Sequence, residues 1–102
     1  MALSAVLITK NEERNVDRCL SSLMFCDEII VVDSFSTDQT IEIAKKYTEK
    51  VYQHSWEGYA AQKNFAISLS KNNWILSIDA DEEVPAELQK ELIKLFQIGR
   101  AH

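Results

Sequence analysis

Short apolar runs alternate along this chain with segments of helical periodicity, and this alternation limits the possible folds more than any other feature. Four runs read as buried strands: Leu3–Ile8, Glu28–Val32, Val51–Tyr52 and Trp74–Ile78. Strands that alternate with helices form a parallel sheet with right-handed crossovers and helices on both faces. The sequence therefore predicts an α/β protein, a three-layer α/β/α fold with a mostly parallel, Rossmann-like sheet.

The helical segments are marked by their ends and by one apolar face. Asn11 is a candidate cap for the first helix, Ser36 and Gln39 form a candidate capping box for the second, and Pro85 suits the first turn of the fourth. The side chains expected to face the sheet recur at helical spacing: Val16, Cys19, Leu20, Leu23 and Met24; Ile41, Ala44 and Tyr47; Ala61, Phe65 and Leu69; and Leu88, Leu92, Leu95 and Phe96.

The composition fits one soluble domain spanning residues 1–102, with 46% hydrophobic and 26% charged residues. A formal net charge of -5 gives no attraction for nucleic acid, so no nucleic-acid partner is expected. The apolar run within Met1–Lys10 is too short for a transmembrane segment. Cys19 and Cys26 form no CxxC pair and read as reduced packing thiols, which predicts a cytoplasmic protein, with a peripheral position at the inner membrane face left open.

Polar and acidic residues follow three of the four predicted strands. These stretches are Thr9–Glu13, Asp33–Asp38 and Asp79–Glu83. In open parallel sheets, ligands bind beyond the carboxyl ends of the strands, at the point where the strand order reverses. The sequence therefore predicts a ligand site at this edge of the sheet.

The acidic pair Asp79 and Asp81 suggests a metal site. No strand is followed by G-x-G-x-x-G or G-x-x-x-x-G-K-[ST], so phosphates at this edge would need another partner. Mg²⁺ and Mn²⁺ take carboxylate and phosphate oxygens together. Two carboxylates at i and i+2 in extended chain point the same way, and the small Ala80 between them lets a ligand approach. The competing interpretation places acidic residues before a helix because of its dipole, and it suits Glu82 and Glu83 better.

Two further residues are candidates because of their position. Asp33 directly follows a buried strand and could accept hydrogen bonds from a base or ribose, with a turn or cap role left open. Lys63 in the third helix could reach a diphosphate as a point charge, although an exposed helical lysine is the commoner case. The aromatic residues Trp56, Tyr59 and Trp74 are expected to pack in the core or at its rim.

Together, these motifs resemble glycosyltransferase family 2, which has the GT-A fold. The resemblance rests on Ile8–Glu13, Val32–Thr40, Gln62–Asn64 and Ser77–Glu82, in this order. Residues 11–15 and 56–64 resemble the lipopolysaccharide core β-glucosyltransferases in particular. The resemblance implies inverting transfer from a nucleotide-diphosphate sugar, with UDP-glucose the expected donor, to a lipopolysaccharide-core or other saccharide or lipid-linked acceptor.

The resemblance also implies a role for each site residue. Asp81 would ligate Mn²⁺ or Mg²⁺ directly, and Asp79 would contact the ribose or a metal-bound water. Asp33 would bind the uracil or ribose, and Glu12 would line the base pocket with the Thr9 backbone. The implied donor site comprises Thr9, Asn11, Glu12, Asp33, Lys63, Asp79 and Ala80, and the implied metal site Asp79 and Asp81.

The chain departs from the family pattern after the fourth helix, in residues 98–102. Family members continue well past the metal motif, and that later part carries the general base and much of the acceptor site. We therefore expect a C-terminally truncated donor-binding domain without the catalytic base, which transfers sugar poorly or not at all. The fourth strand is then expected at an uncovered sheet edge, which would favour homo-oligomers.

Two other protein classes with acidic sheet edges are alternatives. They are metal-dependent phosphohydrolases and receiver-like signalling domains. Both place their acidic pair after the first strand, whereas this chain has Lys10, Asn11 and Glu12 there and its acidic pair after the fourth. A glycosyltransferase is therefore the preferred interpretation.

Overall fold

The computed structural model describes residues 2–97, so the predicted end of the pattern in residues 98–102 lies outside the described residues. Strands and helices alternate along this range as predicted. The strands are β1 (Leu3–Thr9), β2 (Glu28–Asp33), β3 (Val51–Gln53) and β4 (Trp74–Asp79). The helices are α1 (Val16–Ser21), α2 (Thr40–Ala44), α3 (Tyr59–Ser68) and α4 (Ala86–Gln97).

The described strands form one parallel sheet in the order β3-β2-β1-β4. The chain runs outward from β1 through β2 to β3 and then returns to the other side of β1 for β4. The strand order therefore reverses between β1 and β4. At the carboxyl ends Ile8 of β1 lies opposite Val32 of β2 and Asp79 of β4, so three strands end together. This architecture confirms the predicted fold class.

Helices cover both faces of the sheet because alternate strand residues point to opposite sides. One face carries α1, α2 and the segment around α4 on a cluster that includes Leu7, Val31 and Ile78. The other face carries α3 on a smaller cluster of Val6, Ile30, Val32 and Ala66. β1 and β2 are buried on both faces, which explains why their sequences are nearly continuous apolar runs. No helix within residues 2–97 is long and apolar enough to cross a membrane.

Both predicted helix caps are wrong. α1 begins at Val16, and the Asn11 side chain instead accepts hydrogen bonds from the backbone of the β2–α2 loop. α2 begins at Thr40, and no side-chain cap bond comes from Gln39. The Ser36 hydroxyl is not free to cap α2 because it donates to Asp33 and accepts from the Asn11 N–H. In both loops, side chains bond across to the neighbouring loop rather than to their own helix.

The predicted apolar faces are correct for most positions and wrong for four. Met24, Ala61, Leu88 and Leu95 are exposed. Met24 lies beyond the end of α1. α4 packs through Leu92, Val84 before it and Phe96, which contacts Trp74, so its outer leucines stay in solvent.

A buried carboxylate joins three segments at the amino end of the sheet. Glu28 Oε1 accepts hydrogen bonds from Ser4 Oγ at 2.6 Å and from the Lys71 N–H at 3.1 Å, and its Oε2 is paired with Lys50 Nζ. Burial acts to raise the pKa of Glu28, but these donors outweigh it and lower the pKa to about 2. Glu28 therefore stays ionised and ties β1, β2 and the connection before β4 together.

Glu28→Gln is expected to lower the free energy of unfolding at neutral pH by about 2 kcal/mol, because a neutral amide cannot replace the carboxylate. The pKa of Glu28 is lower in the folded than in the unfolded state. Its contribution is therefore present above the ordinary value of 4.5 and is lost as the pH falls towards about 2. Urea unfolding at several pH values should show the difference from wild type shrinking over that range.

The control is Glu42→Gln, which removes an exposed carboxylate of α2. It should leave both the stability and its pH dependence nearly unchanged. A wild-type-to-Glu28→Gln difference that stays constant from neutral pH down to about pH 2 would contradict the role given to Glu28.

Candidate donor and metal site

A cavity of about 620 Å³ opens at the carboxyl edge of the sheet, where the strand order reverses between β1 and β4. It is lined by residues from the connections that follow all four strands: Ile8, Thr9, Lys10 and Glu12; Ser34; Trp56 and Tyr59; and Asp79, Ala80 and Asp81. Such a crevice is the usual ligand position in open parallel sheets. The cavity therefore lies at the edge that the sequence indicated.

The acidic loop, residues 79–83, presents two aspartates at this cavity. Asp79 and Asp81 are exposed, whereas Ala80 between them is buried and belongs to the core. The Asp79 N–H donates to Glu82 Oε1 at 3.0 Å, and the Glu82 N–H donates to the Asp79 carbonyl at 2.9 Å. The loop is thus a closed turn anchored by Ala80, with both carboxylates accessible to a ligand.

Helix α1 holds the acidic loop from the other side. Ser22 Oγ accepts a hydrogen bond from the Val84 N–H at 2.9 Å, and Cys19 Sγ donates to the Asp79 carbonyl at 3.6 Å. Burial raises the pKa of the Cys19 thiol to about 12, and the carboxylates of the acidic loop add to the shift. The thiol therefore stays protonated and can act as a donor to the loop.

The lining of the cavity is acidic and suits a cation. Among its described residues, Glu12, Asp79 and Asp81 carry carboxylates and Lys10 carries an ammonium group. Lys10 Nζ donates to the Phe35 carbonyl at 3.0 Å. Within residues 2–97 no three His, Cys, Asp or Glu side chains converge closely enough to hold a metal by themselves. Mg²⁺ sites commonly use one or two carboxylates together with substrate phosphates, and Asp79 with Asp81 fits that arrangement.

Asp33 lies beneath the cavity rather than in its lining. It is fully buried, and its Oδ1 accepts hydrogen bonds from Thr9 Oγ1 and Ser36 Oγ, both at 2.6 Å. Its Oδ2 accepts one from the Ser36 N–H at 2.7 Å. The expected contact with a base or ribose stays a prediction, and it would require the loops around this buried side chain to open.

The β1–α1 and β2–α2 loops are joined by reciprocal hydrogen bonds. The Asn11 N–H donates to Ser36 Oγ at 2.7 Å, Asn11 Oδ1 accepts from the Thr37 N–H at 2.8 Å, and the Glu12 N–H donates to Thr40 Oγ1 at 2.9 Å. Asn11 adopts a positive φ of 52°, which asparagine tolerates better than most residues. Glu12 and Thr9 line the cavity, and Asn11 holds the two loops beside it together.

Of the remaining residues that the sequence singled out, Lys63 lies outside the cavity lining, whereas Trp56 and Tyr59 belong to it. Lys63 is half-buried on α3 and does not line the cavity, so its proposed contact with a diphosphate stays a prediction. Trp56 and Tyr59 line the cavity although the sequence pattern favoured packing roles for them. The rule that pointed to the residues after β1, β2 and β4 would also have found them, because they belong to the connection that follows β3.

Asp33→Asn is expected to lower the free energy of unfolding by about 2–3 kcal/mol, because an amide NH₂ would face hydrogen-bond donors in a buried site. Asp81→Asn makes the same chemical change at an exposed position of the same edge and should leave stability nearly unchanged. Urea unfolding without ligand tests both. Equal stability of the two variants would show that Asp33 is not a structural tie.

A parallel, Rossmann-like sheet with an acidic crevice at its reversal point places the chain among proteins of the GT-A class. The structure superposes with a TM-score of 0.75 on S. aureus TarS 1-349 in complex with UDP-GlcNAc, at 29% sequence identity over 97% of this chain and 32% of that one. The profile described as Glycosyl transferase family 2 matches residues 4–102. The chain belongs to this family, as its motifs indicated.

Curated relatives agree with this family. An uncharacterized glycosyltransferase of Rickettsia bellii is 50% identical over 92% of this chain and 32% of its own length. The lipopolysaccharide core biosynthesis glycosyltransferase LpsC of Rhizobium meliloti is 38% identical over 94% of this chain and 37% of its own length. The chain thus spans about a third of the length of these relatives.

Proposed function

We propose that this chain binds the donor of a sugar transfer, a nucleotide-diphosphate sugar, at the carboxyl edge of its sheet. The observation that carries the proposal is the pair of exposed aspartates in the cavity at the reversal point. Family membership supports it, because the family transfers sugars. The solved structure of TarS with UDP-GlcNAc supports a UDP-sugar as the donor.

A divalent cation, Mn²⁺ or Mg²⁺, would be held by Asp79 and Asp81 together with the diphosphate. When bound, it would supply Lewis-acid stabilisation of the departing nucleotide diphosphate. The protein groups that fit the rest of the donor are Glu12 and Thr9 at the base or ribose, with Asn11 fixing their loop. Lys63 and Asp33 would join the site only if they rearrange.

The acceptor, the donor sugar and the cellular location are also proposals. The similarity to LpsC, which is named for lipopolysaccharide core biosynthesis, supports a lipopolysaccharide-core acceptor. We further propose UDP-glucose as the donor and a cytoplasmic position near the inner face of the membrane, as the motif resemblance implies. This chain spans about a third of the length of these relatives, so sugar transfer to an acceptor is itself a proposal. The phosphohydrolase and receiver-like alternatives are disfavoured, because the acidic pair follows β4 and because the chain belongs to a glycosyltransferase family.

Calorimetric titration of UDP, ADP and GDP, each with and without Mn²⁺, tests the proposal. UDP should bind only in the presence of Mn²⁺, and Asp81→Asn should weaken this binding by at least about tenfold, since a metal ligand is lost. Glu83→Gln is the matched control, because Glu83 belongs to the acidic loop but not to the cavity lining. No binding of any nucleotide, or binding indifferent to Mn²⁺, would refute the proposal.

The outer edge of β4 is a second testable feature. Within residues 2–97, β4 pairs with β1 and lies at the end of the strand order, as expected. We propose that this edge pairs with a second copy of the chain, because unpaired strand edges promote association. Light scattering should give a mass that rises with protein concentration. A monomeric mass at every concentration would contradict this assembly.

A further inference from the structure

Trp56 and Tyr59, here called the aromatic wall, leave ring surface open to the cavity. Trp56 is 48% exposed and Tyr59 is 71% exposed. Their ring centroids are 4.8 Å apart with an interplanar angle of 87°, so the edge of one ring supports the other and one of the two can stack on a flat ligand ring. Both residues line the cavity that holds Asp79 and Asp81. A supported aromatic face in a polar cavity is suited to stacking against a flat ring of a ligand.

The aromatic wall is held by a buried glutamine. Gln62 is fully buried in α3, and its Nε2 donates to the His54 carbonyl at 3.2 Å while its Oε1 lies 2.9 Å from His54 Nδ1. The His54 ring stacks on Phe65 with centroids 4.0 Å apart. The His54 N–H also donates to the Asp33 carbonyl at 2.9 Å. The segment that precedes the aromatic wall is therefore fixed at His54 to α3 and to the end of β2 before any ligand binds.

Gly58 sets the direction of the chain between the two rings. It has a φ of 105°, a conformation that residues with a Cβ rarely adopt, and a Cβ built there would meet nothing within 4 Å. The glycine is thus required by backbone conformation rather than by lack of space. It turns the chain into α3, so that Trp56 before the turn and Tyr59 after it come into contact.

The strand order indicates which part of the donor the wall meets. With the order β3-β2-β1-β4, the acidic loop follows one outer strand and the aromatic wall follows the other. A diphosphate bound at Asp79 and Asp81 would have its nucleoside directed over the ends of β1 and β2, towards the wall. We propose that the aromatic wall stacks against the nucleobase of the donor, an assignment that rests on the proposed nucleotide site.

The test measures the binding of UDP, UDP-glucose and inorganic pyrophosphate, each with Mn²⁺, to the full chain. Trp56→Leu and Tyr59→Leu should each weaken UDP binding, and the larger loss should be about tenfold, because one variant removes the ring that stacks on the base and the other removes its edge-on support. Pyrophosphate, which has no base, should bind these variants as it binds wild type. Tyr59→Phe keeps the ring and should keep wild-type affinity for UDP.

Trp74→Leu is the matched control and also provides a direct reporter. Trp74 is 52% exposed at the start of β4, at the opposite edge of the sheet from the cavity. The chain has two tryptophans, so this variant leaves Trp56 as the sole indole fluorophore. It should bind UDP like wild type, and UDP with Mn²⁺ should quench its Trp56 fluorescence. This measurement leaves the aromatic wall intact, so it stands even if a wall variant fails to fold.

Three results of the variant titrations would overturn the assignment. They are unchanged UDP affinity in both leucine variants, an equal loss of pyrophosphate binding, and a loss confined to UDP-glucose with UDP unaffected, which would place the wall at the sugar. Unquenched Trp56 fluorescence with UDP bound would do the same. A wild-type chain that binds neither UDP nor pyrophosphate would instead refute the donor site itself.

Discussion

The structure depends on β1 being hydrogen-bonded on both sides and buried on both faces. It pairs with β2 along one side and with β4 along the other, and helices cover it from above and below. Because the chain leaves β1 in one direction and returns on the other side, the loops after β1 and β4 diverge and leave a crevice between them. This placement of β1 determines where the cavity lies. It also brings Lys10 and Asp79 into the same cavity lining.

Carboxylates serve two different purposes in this sheet, according to whether they are buried or exposed. Glu28 at the amino end and Asp33 at the carboxyl end are buried, and each accepts several hydrogen bonds from its own chain. Asp79 and Asp81 are exposed in the cavity, where their carboxylates are accessible to a ligand. A buried carboxylate surrounded by donors stabilises the fold, whereas exposed paired carboxylates are available to a cation.

The alternation of apolar runs predicted every strand and helix, because periodicity reports which faces are buried. It gave less information where the role or burial of a side chain depends on contacts that periodicity does not report. Ser36 looked like a helix cap, but the Asp33 carboxylate and the Asn11 N–H take its hydroxyl. Asp33 is enclosed by Thr9 and Ser36, which periodicity does not show, and its contact with a ligand stays a prediction. Leu95 looked like core and remains 54% exposed.

By itself, the sequence determined the fold class, the family and the edge of the sheet at which a ligand would bind, because these follow from local periodicity and from motifs in a fixed order. Only the tertiary structure decided which residues of that edge face the cavity. Trp56 and Tyr59 line the cavity because Gln62 ties the connection that carries them to α3. Asp33 does not line it because side chains of the two neighbouring loops cover its carboxylate. Those outcomes depend on hydrogen bonds between segments that are brought together only when β1, β2 and β3 lie side by side.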